Sequence, residues 1–107
     1  MSATPDALGW LAQRAHDVPD RLQRRMREAI AASRGRDVAT VLGNAAVACL
    51  CRAAAQPEQR SAAVDLLSAD ALLTHGCEAA ALDGTDSLRA FCREFGIEAL
   101  TDSLAAR

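Results

Sequence analysis

The chain has no lysine, and only three of its 107 residues are aromatic: Trp10, Phe91 and Phe95. All 12 basic residues are arginine. That usage, beside so much alanine, points to a GC-rich coding sequence and not to a function. Half of the residues are apolar, but 25 of them are alanine. Alanine buries little area, so the core of a single copy is thin for its length. A partner, such as another copy of the chain, is the expected way to bury more.

Chemical signatures are also missing. No Gly-x-Ser-x-Gly elbow, phosphate-binding loop, Gly-x-Gly-x-x-Gly turn or His-Glu-x-x-His pair occurs. No Asp-x-Asp-x-Asp-Gly spacing offers a calcium loop. Asp65, Asp70, Glu78 and Asp83 share a helical region but not one face. The expectation is a non-catalytic protein with no cofactor. Strand-like alternation, low complexity and internal repeats are absent, which leaves helices. The start, Ser-Ala-Thr-Pro-Asp, lacks the basic-then-apolar order of a signal peptide, so the expected compartment is the cytoplasm.

What is present centres on Asp37 to Gln56. Between Asp37 and Arg52 this stretch carries no charge. Val38, Leu42, Ala45, Cys49 and Ala53 form one helical row, and Gly43, Val47, Leu50 and Ala54 form a second beside it. Asp37 is a good N-cap and Pro57 ends the run. Thr40, Asn44 and Arg52 leave only a thin polar stripe. The uncharged part is shorter than the roughly 18 residues a membrane span needs, so the stretch reads as the central helix of a bundle. Val38-Ala39-Thr40-Val41-Leu42-Gly43 resembles the first half of a DNA-binding helix-turn-helix. The second helix of that motif presents polar side chains to base edges. Here those positions are Ala45, Ala46, Val47, Leu50 and Cys51. With a net charge of −2, no nucleic-acid partner is expected.

Around this helix the sequence predicts four or five others, making a single all-α domain: a compact antiparallel bundle of five or six helices about residues 38–55. The first runs from Thr4 and Pro5 to about His16, with Leu8, Leu11, Ala12 and Ala15 on one face and Trp10 beside it. The second starts at Val18-Pro19-Asp20, capped by Asp17. Its stripe is Val18, Leu22, Met26, Ala29 and Ile30, and Gly35 closes it in a left-handed C-cap. Another helical region runs from Pro57-Glu58 to about Asp83, with Ala62, Leu66, Ala69, Leu73, Cys77 and Ala80 inward and a break at Ser68. Gly84-Thr85-Asp86 is a turn and cap. Leu88, Phe91, Cys92 and Phe95 mark a short helix stopped by Gly96, and Ile97, Leu100 and Leu104 a final one. Gly43 and Gly76 fall at one level of the hairpin and are expected to let two helices cross closely.

Three groups of side chains are candidates for function. Arg21, Arg24, Arg25, Arg27, Arg34 and Arg36 crowd the second helix with only Glu28 to balance them. They read either as a solvated face that pairs with the acidic half of the chain or as a patch for an acidic protein or a phosphate-bearing ligand. Trp10 is a candidate partner anchor, so partner binding is assigned to Trp10, Arg21, Arg24 and Arg25. The third group is Cys77, Cys92 and His75, which the turn at Gly84 brings to one level as a weak candidate metal or thiol site. Cys49 and Cys51 point about 200 degrees apart on a helix and cannot share a metal ion. His75 can also pair with Glu78. Residues 1–56 hold eight arginines against five acids, and residues 57–107 four against nine, so the halves are expected to attract each other. A basic amphipathic surface from Arg21 to Arg36 has no aromatic anchor for a membrane, and none is expected. The leading functional expectation is a self-associating interaction module, a homo-oligomer or the partner of an acidic protein. The alternative is a bundle that binds a small molecule, thiol or metal.

Overall fold

The computed structural model describes residues 6–106. Six helices follow one another: α1 (Ala7–Ala12), α2 (Asp20–Ala31), α3 (Val38–Ala55), α4 (Arg60–Asp83), α5 (Thr85–Phe95) and α6 (Ile97–Ala105). No strand occurs among the described residues. The all-α bundle expected from the sequence is the observed fold.

α3 is the hub. Its 18 residues touch each of the other five helices. Asp37 caps it, with Oδ1 accepting from the Thr40 N–H at 2.8 Å. Burial works against the Asp37 carboxylate, but hydrogen bonds from the Thr40 side chain and backbone, with Arg36 nearby, outweigh it and lower its pKa. By length and mean hydropathy, 1.6, α3 is long and apolar enough to cross a membrane, so the length criterion does not exclude a span. Its place among five other helices makes it a core helix. Thr40 is not part of the polar stripe as expected but is buried. Ala45 and Ala46 are fully enclosed and Cys51 is nearly so, and α3 runs unbroken through Gly43. The helix-turn-helix resemblance therefore has neither its turn nor an exposed second helix.

α4 packs antiparallel on α3 over most of its length. Ser68 does not break it; the side chain is wholly buried within one 24-residue helix. The inner face is Ala62, Asp65, Ala69, Leu72, Gly76 and Ala80. Leu66, expected inside, is half exposed, so the helix is rotated from the predicted face. α5 then returns along the hairpin, and its two phenylalanines fill notches left by glycines. A Cβ on Gly43 would lie 2.5 Å from the Phe95 ring, and one on Gly76 would lie 2.9 Å from the Phe91 ring. The two glycines thus seat aromatic rings from α5, and Gly76 also faces Leu42 of α3, whose Cβ would lie 3.4 Å from an added Cβ.

Several boundaries differ from expectation. The predicted cap and first turn at Thr4 and Pro5 lie outside the described residues; Asp6 caps α1 through the Gly9 N–H at 2.8 Å. α1 ends at Ala12, not His16. α2 has Pro19 at its N-cap position and no side-chain cap, so Asp17 does not serve. Its C-cap is Ala32 in right-handed conformation. Gly35 is not left-handed; it is small because a Cβ there would meet the Val41 N at 2.7 Å. Gly84, with φ at +135°, is the one left-handed glycine among the described residues and makes the α4–α5 turn. Thr85 and Asp86 lie inside α5 and do not cap it.

Candidate functional site

The arginines of α2 do not all face solvent. Arg25 turns inward to a carboxylate of α4: its Nε donates to Asp65 Oδ1 at 2.6 Å, and its Nη1 to Glu28 Oε2 at 2.8 Å. Asp65 is only 5 % exposed, and Arg52 of α3 approaches its second oxygen at 3.8 Å. Burial pulls the Arg25 pKa down, but the hydrogen bond and charge of Asp65, with Glu28 behind them, more than offset this and raise it. The pair ties α2 to α4 across the end of the bundle where α3 finishes and α4 begins.

Around this pair lies a groove of about 350 Å³ between α2, α3 and α4. Arg21 and Arg24 reach it from α2, Arg52 from α3 and Arg60 from the first position of α4. Five arginines therefore meet two carboxylates, Asp65 and Glu28. Arg25 engages both carboxylates and Arg52 the second oxygen of Asp65, and among the described residues no carboxylate pairs with Arg21, Arg24 or Arg60. Of the three arginines assigned to a partner, Arg25 is committed to the interior and Arg21 and Arg24 are exposed. Sequence reading missed Arg52, Arg60 and Asp65 as members of this group. The signal was the hairpin register, which puts residue 51 level with residue 65.

Trp10 is half-buried and packs on the main core. Its ring meets His75 edge-on, with centroids 6.2 Å apart, and the Arg14 guanidinium lies 4.0 Å above it. Arg14 also bridges to Glu78 at 2.9 Å. Glu78 thus pairs with Arg14, and His75 has an aromatic neighbour in its place. Trp10 also borders a larger open cleft of about 450 Å³, between the start of α3, the end of α4 and α5. Phe91 forms part of its apolar wall, and Asp37, Asp83 and Asp86 stand at its rim.

The third candidate group, His75, Cys77 and Cys92, does not form a three-ligand metal site. Cys77 is half-buried at the edge of the Phe91–Phe95 cluster, while Cys92 is exposed. All four cysteines are free thiols. Among the described residues no three His, Cys, Asp or Glu side chains form a group able to hold a metal ion. Cys49 is fully buried, and burial raises its thiol pKa, with Arg25 opposing and Asp65 reinforcing.

α6 differs from the other helices. Ile97, Leu100 and Leu104 line one side of it, yet none of its residues is buried, and Ile97 is 85 % exposed. It touches only α3 and α5 closely. No family model matches this chain, and comparison with the curated proteins and with the solved structures finds no match.

Proposed function

We propose that this protein is a non-catalytic interaction module that self-associates in the cytoplasm. The supporting observation is α6. In this amphipathic helix of nine residues Leu100 is half-buried, but Ile97 is 85 % exposed and Leu104 is partly so, apolar surface that a thin, alanine-rich core can least spare. A second copy supplies the same stripe across a two-fold axis, where an apolar patch is its own complement. The test is the mass of the native protein in solution, by light scattering, for the wild type and for Ile97→Asp with Leu104→Asp. Both positions are exposed, so the helical fold is expected to survive. A dimer that becomes a monomer in the variant supports the reading. A wild-type monomer at high micromolar concentration, or a dimer indifferent to the variant, refutes it.

A second reading, binding of a small apolar molecule, is favoured by the larger cleft beside Trp10. Trp10 is the single tryptophan, so its fluorescence reports directly on a ligand that enters. A quench or shift that saturates with an apolar amine supports this reading, and an unchanged spectrum counts against it.

A further inference from the structure

The arginine groove between α2, α3 and α4 is built more specifically than a solvated charged face. We propose that it is a binding site for a small polyanion carrying two or more phosphate groups.

Four features carry this. Arg21 and Arg24 stand three residues apart on α2, so their guanidinium groups share one side of the helix. Arg60 faces them from α4, and none of the three has a carboxylate partner among the described residues. Like charges held this close repel, and a bound anion turns that repulsion into attraction. The floor is already neutralised. Arg25 is fixed by Asp65 and Glu28, so it buttresses the groove and leaves the outer arginines to the ligand. Lastly, α4 begins at Arg60 with no side-chain cap from Gln59. Its positive dipole end therefore adds to the same field.

The lining also defines the ligand class. No aromatic side chain borders the groove, and Val64 is its one apolar residue. A nucleotide base would find nothing to stack on. A volume of about 350 Å³ suits a compact molecule rich in phosphate. The cations converge on a concavity from three helices. That geometry matches a compact anion better than the broad surface of an acidic protein. Arginine forks grip phosphate through paired hydrogen bonds, which adds geometric selectivity to charge.

The experiment is calorimetric titration of the whole chain with tripolyphosphate, pyrophosphate and orthophosphate, with an octa-aspartate peptide beside them. Each is run on the wild type, on Arg24→Ala and on Arg60→Ala, with circular dichroism to verify the fold. The expected result is one saturable site for tripolyphosphate, weaker binding of pyrophosphate and weaker still of orthophosphate. Each substitution is expected to weaken tripolyphosphate about tenfold, as one lost charge-assisted contact does. Absence of saturable binding at millimolar tripolyphosphate overturns the proposal. So does equal affinity in the wild type and both variants, or tighter binding of the peptide than of tripolyphosphate.

Discussion

Replacing Gly43 with alanine sets two effects against each other, and the structure decides the sign. In an ordinary helix the change stabilises by about 1 kcal/mol through propensity alone. In α3 the new Cβ would lie 2.5 Å from Cε2 and Cζ of Phe95. Carbon atoms rest at about 3.5–4.0 Å, so the ring has to retreat by about 1 Å. It has little freedom to do so. Phe95 is buried, its ring packs on Phe91 at a centroid distance of 4.9 Å, and the next residue starts the turn into α6. Overpacking of this kind costs roughly 1–3 kcal/mol, and up to more when backbone has to move. Because the ring has so little room to give, the upper part of that range applies, and after the propensity gain the expected outcome is a net loss of about 1–2 kcal/mol. Urea unfolding followed at the helical circular-dichroism band measures it. Gly76→Ala, whose Cβ would meet Phe91 at 2.9 Å, is expected to lose less. In a double-mutant cycle, Phe95→Leu should recover much of the Gly43→Ala loss, giving a coupling of about 1 kcal/mol. A Gly43→Ala protein as stable as the wild type, or purely additive effects with Phe95→Leu, refutes the ring-in-notch reasoning.

Other consequences follow from the same structure. Asp65→Ala strands Arg25 partly buried; with Glu28 still in place the cost is about 2–3 kcal/mol by urea unfolding, below that of a fully orphaned charge, and a loss under about 0.5 kcal/mol contradicts a buried, preorganised pair. Asp37→Ala removes the α3 cap and should cost about 1 kcal/mol at neutral pH. The pKa of Asp37 is lower in the folded state, so its stabilisation is present above the unfolded value of about 3.9 and is lost as pH falls through the folded value. The wild type should therefore lose more stability than Asp37→Ala on acidification from about pH 5 to pH 2, and parallel curves would show that the cap does not titrate as described. With a thiol-specific reagent, exposed Cys92 should react in the native protein, whereas Cys49 should wait for unfolding; rapid labelling that persists in Cys92→Ser contradicts this order.

The helices themselves were legible because each carries a strong local signal. Asp37 and Pro57 bracket α3, and Phe91 and Phe95 mark the inner side of α5 without help from the rest of the chain. What escaped the sequence depends on partners far away. The inner face of α4 was read from its apolar residues, yet Asp65 and Ser68 lie inside and Leu66 outside. Alanines surround the helix, so rotating it costs little burial, and the demand of Arg25 for a carboxylate settles the orientation. Gly43 and Gly76 stood out as a pair, but their nearest partners are rings on α5, whose position no periodicity encodes. The expected extension of α1 to His16 fails for a similar reason: the Ala15 carbonyl accepts from the Gln23 side chain of α2 at 3.2 Å, which favours a turn there. The arginine cluster was visible as composition. Its division into one buried pair and three unpaired cations was not, because that division is made by α4.

The charge split between the halves sharpens the meaning of those unpaired cations. Four bridges join arginines of the first half to carboxylates of the second: Arg14 to Glu78, Arg36 to Glu94, and both Arg25 and Arg52 to Asp65. The two exposed ones add little stability each, but they show that the fold does bring opposite charges together, as the sequence led one to expect. The chain carries 14 acids against 12 arginines, so a shortage of carboxylates does not explain why Arg21, Arg24 and Arg60 converge without one. Asp70 on the same helix as Arg60 is exposed and lies ten residues away, about 15 Å along the axis. A substitution of Ser61 or Val64 by glutamate would place a carboxylate in the groove at the cost of one surface change. Ser61→Glu is therefore expected to stabilise the free protein by a few tenths of a kcal/mol while weakening tripolyphosphate binding. If the substitution leaves both stability and binding unchanged, the three arginines do not act as one field and the groove is only a crowded surface.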